Sequence, residues 1–296
     1  MDDRAPDPTP TGSAYVVTFD AILPADMAAR AEESGVKRVA TDPLVLFALS
    51  ILAGAFIAFG AIFSTTVTAG GYVMPYGVMK LLGGMVFTVG LIMVAVAGAE
   101  LFTGNNLIVM AWASGKVTTP GLLRNWAIVF AGNFAGAFLT AALMFFTTQY
   151  TFGNGAVGLV ALSTAHAKVS LAPVPAVTLG IMCNALVCLA SWMCYSARTT
   201  VDKIFTIIPP IAAFVTAGFE HSIANIYYIP MALFIRAGAP ESFWTAIGKT
   251  PADFPELTWH NFFLVNLVPV TIGNIVGGSV MVAAIYWFIY LRKGGR

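Results

Sequence analysis

Charge is what this sequence has least of. Asp, Glu, Lys and Arg make up 10% of its 296 residues, against about 25% in a typical soluble domain. A chain this poor in charge cannot cover a water-facing surface. Its few charges are also segregated into the first 42 residues, the short connections and the Arg292–Arg296 tail. Cysteine is scarce too. Cys183, Cys188 and Cys194 fall within one apolar stretch, and an odd count there excludes a disulfide framework. Residues 1–42 lack the short apolar core of a secretory leader. The net charge of +1 by itself identifies no partner, and nothing in the sequence supports nucleic-acid binding.

What fills the chain instead is apolar sequence, 58% of residues at a mean hydropathy of +0.82. Several runs exceed the roughly 20 residues that cross a bilayer core. The pattern predicts an all-α polytopic membrane protein with six spans, at 43–66, 80–110, 125–148, 174–197, 204–235 and 261–291. A polar N-terminal segment with a short amphipathic helix precedes them over 1–42, and 292–296 form a tail. Arg30, Lys37, Arg38, Lys116, Arg124, Arg198, Lys203, Arg292, Lys293 and Arg296 then share one side with both termini. Lys168, Arg236 and Lys249 lie opposite, with Lys80 near a helix start. The excess of Lys and Arg places the termini in the cytoplasm.

The second and fifth spans are too long for one straight crossing. Each holds a polar motif near its middle, Gly98-Ala99-Glu100-Leu101-Phe102-Thr103-Gly104-Asn105 and Gly218-Phe219-Glu220-His221-Ser222-Ile223-Ala224-Asn225. A second pair follows in the same order, Gly132-Asn133-Phe134-Ala135-Gly136 and Gly273-Asn274-Ile275-Val276-Gly277. The spans that hold this second pair also open alike, on Asn125-Trp126 and Asn261-Phe262. A duplication of three helices is therefore expected, with repeats over about 43–148 and 174–291. An odd number of crossings inverts the second copy, and the small residues allow close helix approach.

Ionisable residues deep in a span are expensive and mark function by default. Here they are Glu100, Glu220 and His221, all within the repeated motifs. Irregular backbone at that depth needs protein or a hydrated cavity around it, so the motifs read as breaks facing a central site. A His221 imidazole can donate a hydrogen bond or a proton to a passing carboxylate; the competing reading is a core histidine bonded to a backbone carbonyl. For Glu100 and Glu220 the expected role is support of the breaks, through free backbone N–H groups, or orientation of His221. Thr103 and Asn184 can supply neutral donors. Lys168, in an external loop near His166, can attract anions or be plainly solvated. Phe87, Phe214, Leu91 and Leu101 are candidates for an apolar constriction, which gates by excluding water. The paired motifs lack the Asn-Pro-Ala of a neutral-solute pore, and no H-E-x-x-H zinc pattern points to an enzyme.

At these motifs the sequence resembles the formate/nitrite transporters, over about Phe19 to Arg292. The leader Phe19-Asp20-Ala21-Ile22-Leu23-Pro24, the run Ala165-His166-Ala167-Lys168-Val169 and Pro269-Val270-Thr271-Ile272-Gly273-Asn274-Ile275 are similar to the formate-channel branch. The resemblance implies an aquaporin-like protomer in a homopentamer of the bacterial inner membrane, each protomer with its own pore and no cofactor. It implies a formate pathway through Thr103, His221, Asn184 and Lys168. Phe87, Leu91, Leu101, Phe102 and Phe214 would stand at narrow points, and Glu100, Glu220, Asn225 and Asn274 would support the broken loops. It also implies a mobile N-terminal segment in contact with a cytoplasmic formate-producing enzyme. Nitrite, hydrosulfide, acetate and lactate remain alternative solutes, and a proton-coupled carrier an alternative mode.

Overall fold

The computed structural model describes residues 20–70 and 74–292, which contain helices and no strand. The expectations for a mobile leader with a partner contact, and for the end of the tail, fall largely on residues 1–19 and 293–296, outside those described. Helix α1 (Pro24–Ala40) precedes α2 (Pro43–Thr68) and α3 (Tyr76–Ala97). A short α4 (Val109–Ala113) leads to α5 (Thr119–Phe146). The second half runs through α6 (Ala156–Val169), α7 (Pro173–Cys194), α8 (Thr200–Thr216), α9 (Ser222–Gly238) and α10 (Glu241–Ile247). It ends on a continuous helix, Asn261–Tyr290. Five of these helices, α2, α3, α5, α7 and the final one, are long and apolar enough to cross a membrane.

The helix starts follow from local chemistry. Asp42 accepts the Leu44 and Val45 N–H groups at 3.0 and 3.1 Å ahead of Pro43, whose missing N–H costs nothing at that position. Thr118 caps α5, and Thr199 with Asp202 forms a reciprocal box at α8. The stops inside the membrane follow from two glycines. Gly98 and Gly218 adopt φ of +82° and +74°, a left-handed conformation that a side chain disfavours. Each ends its helix, α3 and α8, within a stretch read from the sequence as one span.

Small residues then bring helices together as expected. A Cβ at Gly136 would overlap the Ile51 carbonyl oxygen of α2, and one at Gly277 would overlap the Ile181 carbonyl oxygen of α7. So α5 packs along α2 and the final helix along α7. Between the halves, α3 and α8 pack together in opposite directions. Tyr76 and Lys80 at the start of α3 share a cavity with Ala217 and Gly218 past the end of α8. Lys203, near the start of α8, shares another with Ala95 and Gly98 at the end of α3. The halves are inverted.

One expectation needs correcting. The stretch between the halves, read as an external loop, holds the 14-residue helix α6. It packs on α9, as α1 packs on α4 and the turn before it. Each half therefore opens with a helix lying against its own broken span. In the first, Glu32 of α1 pairs with Lys116.

Candidate functional site

The breaks leave backbone groups without helical partners, and each such group costs energy in a low-dielectric interior. One asparagine per half resolves this. Asn133 accepts the Phe102 N–H at 2.8 Å and donates to the Ser50 and Glu100 carbonyls at 2.7 and 2.9 Å. Asn274 accepts the Ser222 N–H at 2.9 Å and donates to the Gly180 and Glu220 carbonyls at 2.8 and 2.9 Å. The Glu100 and Glu220 N–H groups each reach a carbonyl of the neighbouring span, Leu49 and Leu179, at 3.3 Å. Each of these bonds in one half recurs in the other.

The glutamate side chains are held by asparagines and a base rather than by backbone N–H groups. Glu220 accepts from Lys168 Nζ at 2.8 Å and from Asn225 Nδ2 at 2.6 Å. Asn225 also donates to Asn266 Oδ1 at 2.7 Å, and Asn266 donates to the Lys168 carbonyl at 3.0 Å. In the first half Glu100 accepts from Asn105 Nδ2 at 2.8 Å and lies 3.4 Å from Arg38 Nε. Asn105 donates on to Asn125 at 3.0 Å, and Asn125 to the Arg38 carbonyl at 3.1 Å. Three sequence expectations change here. Lys168 is not a loop residue; it sits at the end of α6, paired with Glu220 in the wall of a cavity. Neither glutamate orients His221. The partner of Asn125 across the repeat is Asn266, not Asn261, whose amide bonds Glu256.

His221 caps α9. Its Nδ1 accepts the Ala224 N–H at 3.1 Å, and its Nε2 lies 3.1 Å from Thr103 Oγ1. An acceptor Nδ1 assigns the ring proton of the neutral imidazole to Nε2, which then donates to Thr103. The Thr103 hydroxyl hydrogen is left to find an acceptor of its own. The bond joins the two breaks, and among the described residues the imidazole hydrogen-bonds no backbone carbonyl. Thr103 is fully buried and its carbonyl accepts from Asn184 at 3.3 Å and Cys188 at 3.2 Å.

Two cavities approach this junction from opposite faces. One, of about 230 Å³ on the α1 face, is lined by Arg38, Glu100, Leu91, Leu101 and Lys203 among others. The other, of about 530 Å³ on the α6 face, is lined by Lys80, Lys168, Glu220, His221, Phe87 and Phe214 among others. In the wall of the α6-face cavity Phe87 and Phe214 meet edge to face at 5.8 Å, and the Phe214 ring lies 5.9 Å from the imidazole. Phe87, Leu91, Leu101 and Phe214 are all buried. Phe102 lines neither cavity; its ring packs against Trp126 and Phe130 at 6.1 and 5.0 Å. Asn184 also lies off both cavities and ties the Thr103 break to the final helix through the Asn274 carbonyl at 2.7 Å. The sequence marked Arg38 only as a loop charge and Asn105, Asn125 and Asn133 only as motif positions, and it did not single out Asn266. A lone amide in an apolar span was the available signal.

A sequence profile described as formate/nitrite transporter matches residues 25–288. The chain belongs to the formate/nitrite transporter family. Among its relatives, the formate channel FocA of Escherichia coli (strain K12) is 50% identical over 275 residues, 93% of this chain and 96% of that protein. FocA of Haemophilus influenzae is 40% identical over 262 residues, 88% of this chain and 92% of the relative. A solved structure described as a pentameric formate channel with formate bound superposes with a TM-score of 0.81 at 47% identity, covering 84% of this chain and 98% of the other. A family ion channel at 26% identity superposes with a TM-score of 0.73, covering 89% and 98%. The family is one of membrane transporters, and the inverted, twice-broken fold described above is the fold it shares.

Proposed function

We propose that this chain passes formate and related small monovalent anions across the bacterial inner membrane. It does so as a pentamer with one pore per protomer and with cytoplasmic termini. The observation that carries this is the His221–Thr103 bond between the two breaks, beside buried apolar side chains and between two cavities. Relatives that align over nearly their whole length are named formate channels, which supports formate as the solute.

The chemistry follows from the bond directions. Nδ1 is occupied by the Ala224 N–H, so the imidazole presents Nε2–H to Thr103 Oγ1. The hydroxyl can then donate to a carboxylate oxygen. An anion that leaves water loses its hydration shell, and the Thr103 hydroxyl, itself accepting from His221, replaces part of it. Entry into the Phe87–Phe214 region also raises an acid's pKa by desolvation. Small carboxylic acids titrate near 4 and histidine near 6.5 in water, and a dry site narrows that gap. Proton transfer to the solute needs the imidazolium, with Nδ1 also protonated and released from the Ala224 N–H. Nε2 can then pass its proton through the threonine hydroxyl, leaving a neutral ring and a neutral acid that crosses the apolar barrier. Glu100, Glu220, Asn225 and Asn274 keep the two breaks in place while it does so.

The test is solute flux into proteoliposomes between about pH 4 and pH 8, a range that brackets both groups. His221→Asn keeps polarity but removes the titrating ring, and a changed pH profile or solute selectivity is expected. Unaltered transport over the whole range would remove His221 from the mechanism. Concentrative uptake driven by a pH gradient would replace the passive channel with a proton-coupled carrier using the same two residues.

A further inference from the structure

We infer that Lys80 and Lys203 are the residues that load the anion into the two mouths, one lysine for each, an inference that rests on the formate reading above. The sequence pointed to Lys168 for this task, but its charge is cancelled by Glu220 at 2.8 Å. On the α1 face Arg38 is likewise set against Glu100 at 3.4 Å. Each cavity therefore holds one cation–carboxylate pair with little field beyond it.

Each cavity also holds one further lysine. Lys80 lines the α6-face cavity and Lys203 the α1-face cavity. Neither ammonium has an acidic partner among the described residues. Lys80 lies over the Tyr76 ring at 5.6 Å, a contact that holds the cation without neutralising it. Asp202, next to Lys203 in sequence, is turned to the helix cap. It accepts the Arg198 and Thr199 N–H groups at 3.0 and 2.9 Å and lines neither cavity.

Both lysines are partly buried, so their charges are less screened than those of surface lysines. Two cations and one carboxylate thus line each mouth, leaving one positive charge on either side of the apolar barrier. The two lysines are not equivalents in the repeat: counted back from Glu220, Lys203 sits about one helical turn nearer its break than Lys80 does to Glu100. The repeat alone therefore does not account for a lysine at both mouths.

One unit charge at roughly 7 Å in a water-filled mouth changes anion occupancy by about threefold. Salt shortens its reach from about 30 Å at 0.01 M to about 3 Å at 1 M. The measurement is the half-saturating formate concentration for uptake from each face, in vesicles of one orientation carrying the full chain. At about 0.01 M salt, Lys80→Gln is expected to raise it roughly threefold for entry from the α6 face. Lys203→Gln should do the same from the α1 face, and both differences should close near 1 M. Lys80→Arg and Lys203→Arg, which keep the charge, should behave as the unmodified chain. Lys249→Gln removes an exposed lysine outside both cavities and should change nothing.

A loss that persists at high salt, or that the arginine variants share, would show a structural role and overturn the inference. So would half-saturation left unchanged by both glutamine variants, or altered equally by Lys249→Gln. If the unmodified chain carries no formate, the solute reading itself fails and takes this inference with it.

Discussion

Asn133 and Asn274 show how much one side chain can carry inside a membrane protein. Each closes three backbone bonds at a break, and no other described side chain reaches those groups. Asn274→Leu orphans the buried Ser222 N–H and the Glu220 carbonyl at the break, each worth about 1–3 kcal/mol when left unpaired. A large drop in the melting temperature of the detergent-solubilised protein is the expected result. Thr103→Val is the opposite case. It keeps the shape but deletes the acceptor of Nε2 and the donor beyond it. Formate flux should fall steeply while melting shifts little, and an equal loss in both would make Thr103 a structural residue. The sequence made Thr103 and His221 legible because polar groups in apolar spans stand out. It did not show that Asn184 faces the protein rather than the pathway, since an amide serves either place equally well.

At the scale of elements, α1 and α6 repeat one device. Each delivers a cation from outside the long spans to the glutamate of its own break. Removing one partner of a buried pair leaves an uncompensated charge, at a cost of about 3–5 kcal/mol. Lys168→Met should therefore destabilise the fold by that order. Adding Glu220→Gln, which removes the stranded charge, should restore part of it. Thermal unfolding of the single and double variants decides this, and a double variant worse than the single would contradict the pairing. The α6 helix escaped the sequence reading for a physical reason. At 14 residues it is too short to cross a bilayer, and it follows a glycine-rich turn that reads as loop. The breaks were legible because Gly98 and Gly218 flank the only glutamates within the predicted spans.

Across the whole molecule, two mouths converge on apolar side chains, Phe87 and Phe214 in the α6-face cavity and Leu91 and Leu101 in the α1-face cavity. Phe87 and Phe214 close on one another at 5.8 Å. Replacing both with alanine should widen the barrier and admit water and small neutral solutes, read as faster osmotic swelling with glycerol. Swelling like that of the unmodified protein would place the barrier elsewhere, with Leu91 and Leu101 next in line. Large apolar side chains such as Leu143, Phe146, Phe205 and Phe288 point outward at more than half exposure. Such surface must meet lipid or other protomers. Native mass spectrometry of the purified chain is expected to show five copies, and a monomer would overturn the assembly proposed here.

Composition, hydropathy and the doubled motifs determined by themselves that the chain is helical, spans a membrane, repeats and breaks two helices near polar residues. Those properties rest on local sequence: length of apolar runs, glycine conformation, and the cost of charge in lipid. Tertiary structure alone decided which groups meet. It paired Lys168 with Glu220, replaced Asn261 by Asn266 in the repeat, turned Phe102 into the core and left Lys80 and Lys203 in the mouths. The physical reason is that a polar side chain in a dry interior takes whichever partner the packing of distant helices brings within reach. That distance is absent from the order of residues along a chain.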